Sequence, residues 1–134
     1  MSRKSLLVIL GLGILAAIAA YTYFGNSQST DTQVAIKIPP LSETAERGKA
    51  LYEANCARCH GPSATGSDQG PPFIHRIYEP NHHGDMAFVL AVTRGVRSHH
   101  WQFGNMPPVP GLDERDVELI VAYVRQLQKA NGIF

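Results

Sequence analysis

The sharpest feature in the pattern of polar and apolar positions is an uncharged run of 19 residues, Leu6 to Phe24, in which only Gly11, Gly13 and Thr22 fall outside the hydrophobic set. As a helix it would span about 28 Å, close to the thickness of a bilayer core. Arg3 and Lys4 precede it and the next charge is Asp31, so the positive-inside bias puts the N-terminus in the cytoplasm and the rest of the chain outside. Residues 1–24 are therefore expected to form a single-pass anchor in a bacterial inner membrane, with the remainder on the periplasmic side. Ala17-Ile18-Ala19 offers a cleavage site and so a signal-peptide alternative. Against cleavage, the apolar run continues through Tyr21, Tyr23 and Phe24, aromatics suited to the membrane interface. Residues 25–40 are polar, lack periodicity and close on Pro39-Pro40, which reads as a tether.

Residues 41–134 show helical signals separated by loops. Ser42 is an expected N-cap, with Glu43 and Glu46 in the first turn, for a helix running to about Cys59. Ala45, Gly48, Leu51, Tyr52 and Asn55 fall along its neighbouring faces. Asp85 is expected to cap a second helix, Met86 to Arg94, that Gly95 ends. Asp113 caps a third, with Asp116 in the capping-box position and Val117, Ile120, Val121, Val124 and Leu127 on one face. Asp113, Glu114, Asp116 and Glu118 read as a capped, solvated helix start. Gly61 to Gly84 has little regular pattern. So long a loop in a small domain implies either disorder or packing on something other than protein.

Composition narrows the function. With 44% hydrophobic residues, 17% charged residues and a formal charge of +1, the chain is neither a disordered tail nor a strongly basic nucleic-acid binder. Excluding residues 1–24 removes Arg3 and Lys4 and no acid, leaving ten basic against eleven acidic residues. No nucleic-acid partner is expected. Two cysteines are too few for a disulfide scaffold or a Cys-rich zinc module.

Both cysteines lie in Cys56-Ala57-Arg58-Cys59-His60, and C-x-x-C-H is the attachment signature for c-type haem. Cysteines three apart share a face of a helical turn, so both sulfurs can bond one flat macrocycle while His60 presents an imidazole to the iron. A redox C-x-x-C, a zinc site recruiting distant histidines and a simple disulfide remain alternatives. Met106, in Gly104-Asn105-Met106-Pro107-Pro108, is the candidate second axial ligand, because flanking prolines stiffen a non-helical loop around its thioether. The competing reading of Met106 is a buried core methionine.

From Leu41 to Leu127 the chain resembles the class I monohaem c-type cytochromes with His/Met iron. Beside C-x-x-C-H, the matching residues are Gly48 and Tyr52 on the first helix and Ile120 and Tyr123 on the last. Gly70-Pro71-Pro72-Phe73 is similar to the family's G-P-x-L stretch, with Phe73 in place of the usual Leu. The resemblance implies an all-α fold of three main helices and loops around one covalent haem c, here after an N-terminal transmembrane helix. It implies Cys56 and Cys59 as attachment residues, His60 and Met106 as axial ligands, and the Pro71 carbonyl as partner of the ligating imidazole. Arg97 and Trp101 are candidate donors to a haem propionate, with pocket packing the alternative for Trp101.

The pairs His82-His83 and His99-His100 are unassigned. With Met86 they are a candidate copper or zinc site, although loop histidines are commonly just solvated. His99, His100 or Met86 are also candidate competitors of Met106, except that a helical Met86 is expected in the core. With both axial positions filled, the expected function is not enzymatic. The chain would carry single electrons between a redox protein donor and acceptor in respiration. The alternatives are a haem subunit of a larger oxidase or dehydrogenase, a ligand-binding or catalytic haem protein if Met106 is not a stable ligand, and a non-haem metal or disulfide module.

Overall fold

The computed structural model describes residues 13–21 and 36–134. The chain divides into two units, Met1–Val34 and Ala35–Phe134. In the first, residues 13–21 are helical. The remainder of the expected anchor and residues 25–35 of the expected tether lie outside the described residues. Among the described residues, no helix is long and apolar enough to cross a membrane.

The second unit contains, among its described residues, helices α1 (Glu43–Asn55), α2 (Ala57–His60), α3 (Asp85–Arg94) and α4 (Glu114–Ala130). Short 3-10 turns at Pro62–Ala64 and Arg76–Tyr78 punctuate the long loop between α2 and α3. Strand pairing within the described residues is confined to an isolated antiparallel bridge between Val96 and Met106. The last residues of the expected tether are drawn onto this unit. The Lys37 N–H donates to Asn131 Oδ1 at 2.8 Å, and Asn131 Nδ2 donates back to the Lys37 carbonyl at 2.9 Å.

Helix α1 starts at Ser42, whose hydroxyl accepts from the Ala45 N–H. The same hydroxyl accepts from Gln126 Nε2 at 2.7 Å, fastening the start of α1 to α4. The helix does not run through to Cys59. At Cys56 the backbone opens to φ −117° while its N–H still reaches the Tyr52 carbonyl at 2.8 Å, and the chain then re-enters a separate turn, α2. The assignment of Asp85 as a cap is also corrected. Extended Gly84 is the N-cap and Asp85 is the first residue of α3, its carboxylate drawn away by Arg125 Nε at 2.8 Å. Asp113 and Asp116 form the expected reciprocal capping box of α4.

The core lies where α1 crosses α4. A Cβ at Gly48 would sit 1.8 Å from the Leu119 carbonyl oxygen, so only glycine permits this backbone contact. One turn on, Tyr52 packs on Tyr123 with ring centroids 5.4 Å apart and donates its hydroxyl to the Gly61 carbonyl at 2.8 Å. Burial drives the Tyr52 hydroxyl well above the usual phenol range, holding it as a neutral donor. Ile120, Tyr123, Val124 and Leu127 complete the apolar face of α4.

The polar side of α4 secures the long loop. Arg125 donates from its guanidinium to the carbonyls of Tyr78 and His83, each at 2.6 Å. Gln128, almost fully buried, donates to the carbonyls of Phe73 and Tyr78 at 2.8 and 3.0 Å. These bonds satisfy loop carbonyls that water would otherwise have to serve.

The Gly48 contact generates a prediction. Gly48→Ala should destabilise the domain at the upper end of the about 1–3 kcal/mol typical of overpacking, read as a lowered denaturation midpoint. An unchanged midpoint would refute the close crossing.

Candidate cofactor site

A cavity of about 500 Å³ opens between the end of α1, the long loop, α3 and the 96–106 loop, a size within the range of cofactor sites. Cys56, Cys59 and His60 line one side of it and Met106 lines it from the 96–106 loop. Phe73, Phe88, Val92, Val117 and Ile120 supply much of its apolar wall.

His60 is held from two directions. Its Nδ1 donates to the Pro71 carbonyl at 2.9 Å, which fixes the tautomer and leaves the Nε2 lone pair available. The Phe73 ring stacks on the imidazole, centroids 4.2 Å apart and planes 24° apart. Phe73, where the family's usual residue is Leu, thus serves as a flat support for the ring. Burial lowers the His60 pKa, and the Pro71 carbonyl offsets part of that shift. A neutral imidazole is the form that ligates a metal.

The cysteine environment weighs against thiol redox chemistry. Both thiols are free. Burial, followed by neighbouring Cys59, pushes the Cys56 thiol up to about 11, whereas reactive C-x-x-C thiolates have depressed values. Among the described residues, no group of three or more metal-ligating side chains includes Cys56 or Cys59, so a zinc site built on the two cysteines lacks the further ligands it needs.

The opposing loop has its own frame. Val96 and Met106 exchange both backbone hydrogen bonds, at 2.9 and 3.0 Å. Asn105 Oδ1 accepts from the Ser98 N–H at 2.9 Å, and the Ser98 hydroxyl donates to the Trp101 carbonyl. Gly95, read from the sequence only as a helix stop, also permits this pairing. It sits at φ +75°, and a Cβ there would lie 2.5 Å from the Met106 carbonyl oxygen.

Trp101 and Arg97 both line the cavity. Trp101 Nε1 is buried without a hydrogen bond of sound geometry, although the indole lies near enough to the Tyr78 hydroxyl to offset part of that group's burial-raised pKa. An orphaned buried N–H on a residue that lines the same apolar cavity as two thiols and an imidazole fits a flat macrocycle that carries carboxylates. Arg97 is exposed, and its guanidinium forms no ion pair among the described residues.

Met86 is not in the core. It is 57% exposed on the outer side of α3 and does not line the cavity, so it does not compete for the site. The two histidine pairs instead come together. His82 and His100 approach Nε2 to Nε2 at 3.1 Å, and His83 packs within ring contact of both. His75 is engaged elsewhere, its Nδ1 accepting from the Ile77 N–H.

A family model described as cytochrome c matches residues 45–128. The chain is 31% identical to a Cbb3-type cytochrome c oxidase subunit CcoP of Azospirillum brasilense over 89% of its own length, spanning 37% of that protein. It is 32% identical to cytochrome c-554(547) of Halothiobacillus neapolitanus over 63% of its length, spanning 97% of that protein. It is also 28% identical, over 66% of its length, to cytochrome c oxidase subunit 2 of Alkalihalophilus pseudofirmus, of which it spans 27%. The chain thus covers well under half the length of the two oxidase subunits.

Gly95→Ala tests the frame of the Met106 loop. A backbone at φ +75°, ψ 179°, a region essentially confined to glycine, alone costs about 1–3 kcal/mol for another residue, and the Met106 carbonyl blocks the added Cβ. Hydrogen exchange should show lost protection at the Val96 and Met106 amides with α4 unaffected; retained protection at both amides would contradict the geometry.

Proposed function

The chain belongs to the cytochrome c family, and from that membership we propose that it carries single electrons on one covalently held c-type haem whose iron is bound by His60 and Met106. The observation that carries the proposal is the pairing, in one apolar cavity, of a Pro71-oriented imidazole with a thioether on a braced loop. Haem-based electron transfer is the family-level function. The bound group supplies a one-electron iron couple.

The residues have distinct tasks in this reading. Cys56 and Cys59 hold the macrocycle through their sulfurs. Pro71 holds the His60 proton on Nδ1, so that Nε2 remains the ligand, and Phe73 keeps the imidazole plane from turning. Met106 donates weakly, which favours the reduced state and a high potential. Trp101 Nε1–H is the donor proposed for a propionate, with Arg97 as its outer cation. The apolar wall of Phe88, Val92, Val117 and Ile120 keeps water from the site and limits rearrangement between oxidation states. With His60 and Met106 both holding the iron, no ligand position would remain for a substrate, and the chain itself would perform no bond chemistry.

We further propose a single-pass anchor at residues 1–24, with the haem domain on the periplasmic face of a bacterial inner membrane. The uncharged run Leu6 to Phe24 behind Arg3 and Lys4 supports this. The partners are then a redox protein donor and a redox protein acceptor. A second reading is a haem subunit of a larger oxidase, favoured by similarity to two oxidase subunits. Mild detergent extraction distinguishes the two: a stable oxidase complex supports the second and an isolated haem protein the first.

Met106→Ala should leave the haem attached, lower the reduction potential and open the iron to added cyanide or imidazole. An unchanged potential and spectrum would refute Met106 as a ligand. Protection from ligand binding in the unsubstituted protein is the matching control.

A further inference from the structure

Four histidines beyond the C-x-x-C-H motif form a second constellation, of which His83, His99 and His100 also line the cavity. His82 and His83 end the segment that follows the Arg76–Tyr78 turn, and His99 and His100 lie on the Met106 loop. Although His100 lies 18 residues beyond His82, one coordinating nitrogen from each of His82, His83 and His100 lies within 4.8 Å of the others. His82 Nε2 and His100 Nε2 are only 3.1 Å apart. Nitrogens at neighbouring corners of a tetrahedral zinc site, each about 2.0–2.1 Å from the ion, are separated by about 3.3 Å. Closing the third imidazole onto that pair takes a small side-chain movement.

The cluster is built rather than incidental. His83 Nδ1 donates to the Ile77 carbonyl at 2.6 Å, which leaves its Nε2 lone pair free. His99 Nδ1 donates to the Arg97 carbonyl at 2.8 Å in the same manner, and its ring packs against His100 with centroids 4.3 Å apart. This is the outer-shell arrangement that orients metal-binding histidines. The backbone is fixed as well. The N–H groups of His82 and His83 both donate to the Glu79 carbonyl, and Arg125 holds the His83 carbonyl at 2.6 Å.

We propose that His82, His83 and His100 form a binding site for a late first-row divalent cation, copper(II) or zinc(II), distinct from the haem iron. An all-imidazole set with no carboxylate selects these ions over magnesium or calcium. Three protein ligands leave a position for water or an exogenous donor. A bound cation ties the segment after the Arg76–Tyr78 turn to the loop that carries Met106. The proposal rests on the reading that His60 and Met106, and not His100, hold the iron.

The test uses the oxidised, full-length haem protein, titrated calorimetrically with copper(II), zinc(II) and magnesium(II). One equivalent of copper(II) should bind more tightly than zinc(II), with magnesium(II) not binding, as the affinity order and ligand type require. Imidazole nitrogen coupling should appear in the copper(II) paramagnetic resonance spectrum. The double variant H82Q/H100Q should bind at least about 10- to 100-fold more weakly, losing more than the typical effect of disturbing an outer-shell partner. An unaltered haem absorption spectrum in that variant establishes that it is folded. If the double variant loses that spectrum, the single exposed substitution His82→Gln makes the same comparison. Equal affinity in the variant and the unsubstituted protein, or binding of magnesium(II) as tightly as copper(II), would overturn the proposal. So would a folded protein that binds no copper(II).

Discussion

The backbone of α1 rests directly on the backbone of α4, at Gly48 against the Leu119 carbonyl, and the placement of the site follows from that contact. With the crossing fixed, Tyr52 meets Tyr123 and its hydroxyl reaches the Gly61 carbonyl just past the cysteine motif. The end of α1 is thereby located relative to α4, and the break at Cys56 turns Cys59 and His60 along the cavity. The same stretch of α4 contributes Val117 and Ile120 to the cavity wall. A single glycine thus links the packing of two helices to the position of the reactive side chains.

The second determinant is the polar edge of α4. Irregular loops are stable only when their carbonyls find donors, and Arg125 and Gln128 supply several of them between Phe73 and His83. This anchoring sets Phe73 beside His60 and keeps Pro71 in reach of Nδ1. Its effect extends to His83, so the imidazole cluster and the haem site share one structural support.

Much of the fold was legible because its signals are local. The capping box of α4 spans Asp113 to Asp116, its apolar face repeats at helical spacing, and Ser42 caps α1 as read. C-x-x-C-H is likewise a contiguous signature, and the loop of Met106 announces itself through its prolines. What escaped depends on partners distant in the chain. Asp85 looked like a cap until Arg125, 40 residues later, claimed its carboxylate. Nothing in the pattern near Arg125 or Gln128 marks them as loop anchors, and Gly95 gave no sign that the Met106 carbonyl would lie against it. Met86 followed the helical pattern of its neighbours yet faces outward. The two histidine pairs were visible as pairs, but their meeting required the long loop and the Met106 loop to fold toward each other.

The measurement that bears most directly on the central claim is the intact mass of the chain, purified from cells able to attach c-type haem and taken with its redox absorption spectrum. A mass greater than that of the bare polypeptide by one haem, retained after denaturation and accompanied by sharp bands on reduction, is the expected result. Colourless protein with the mass of the polypeptide alone would contradict it.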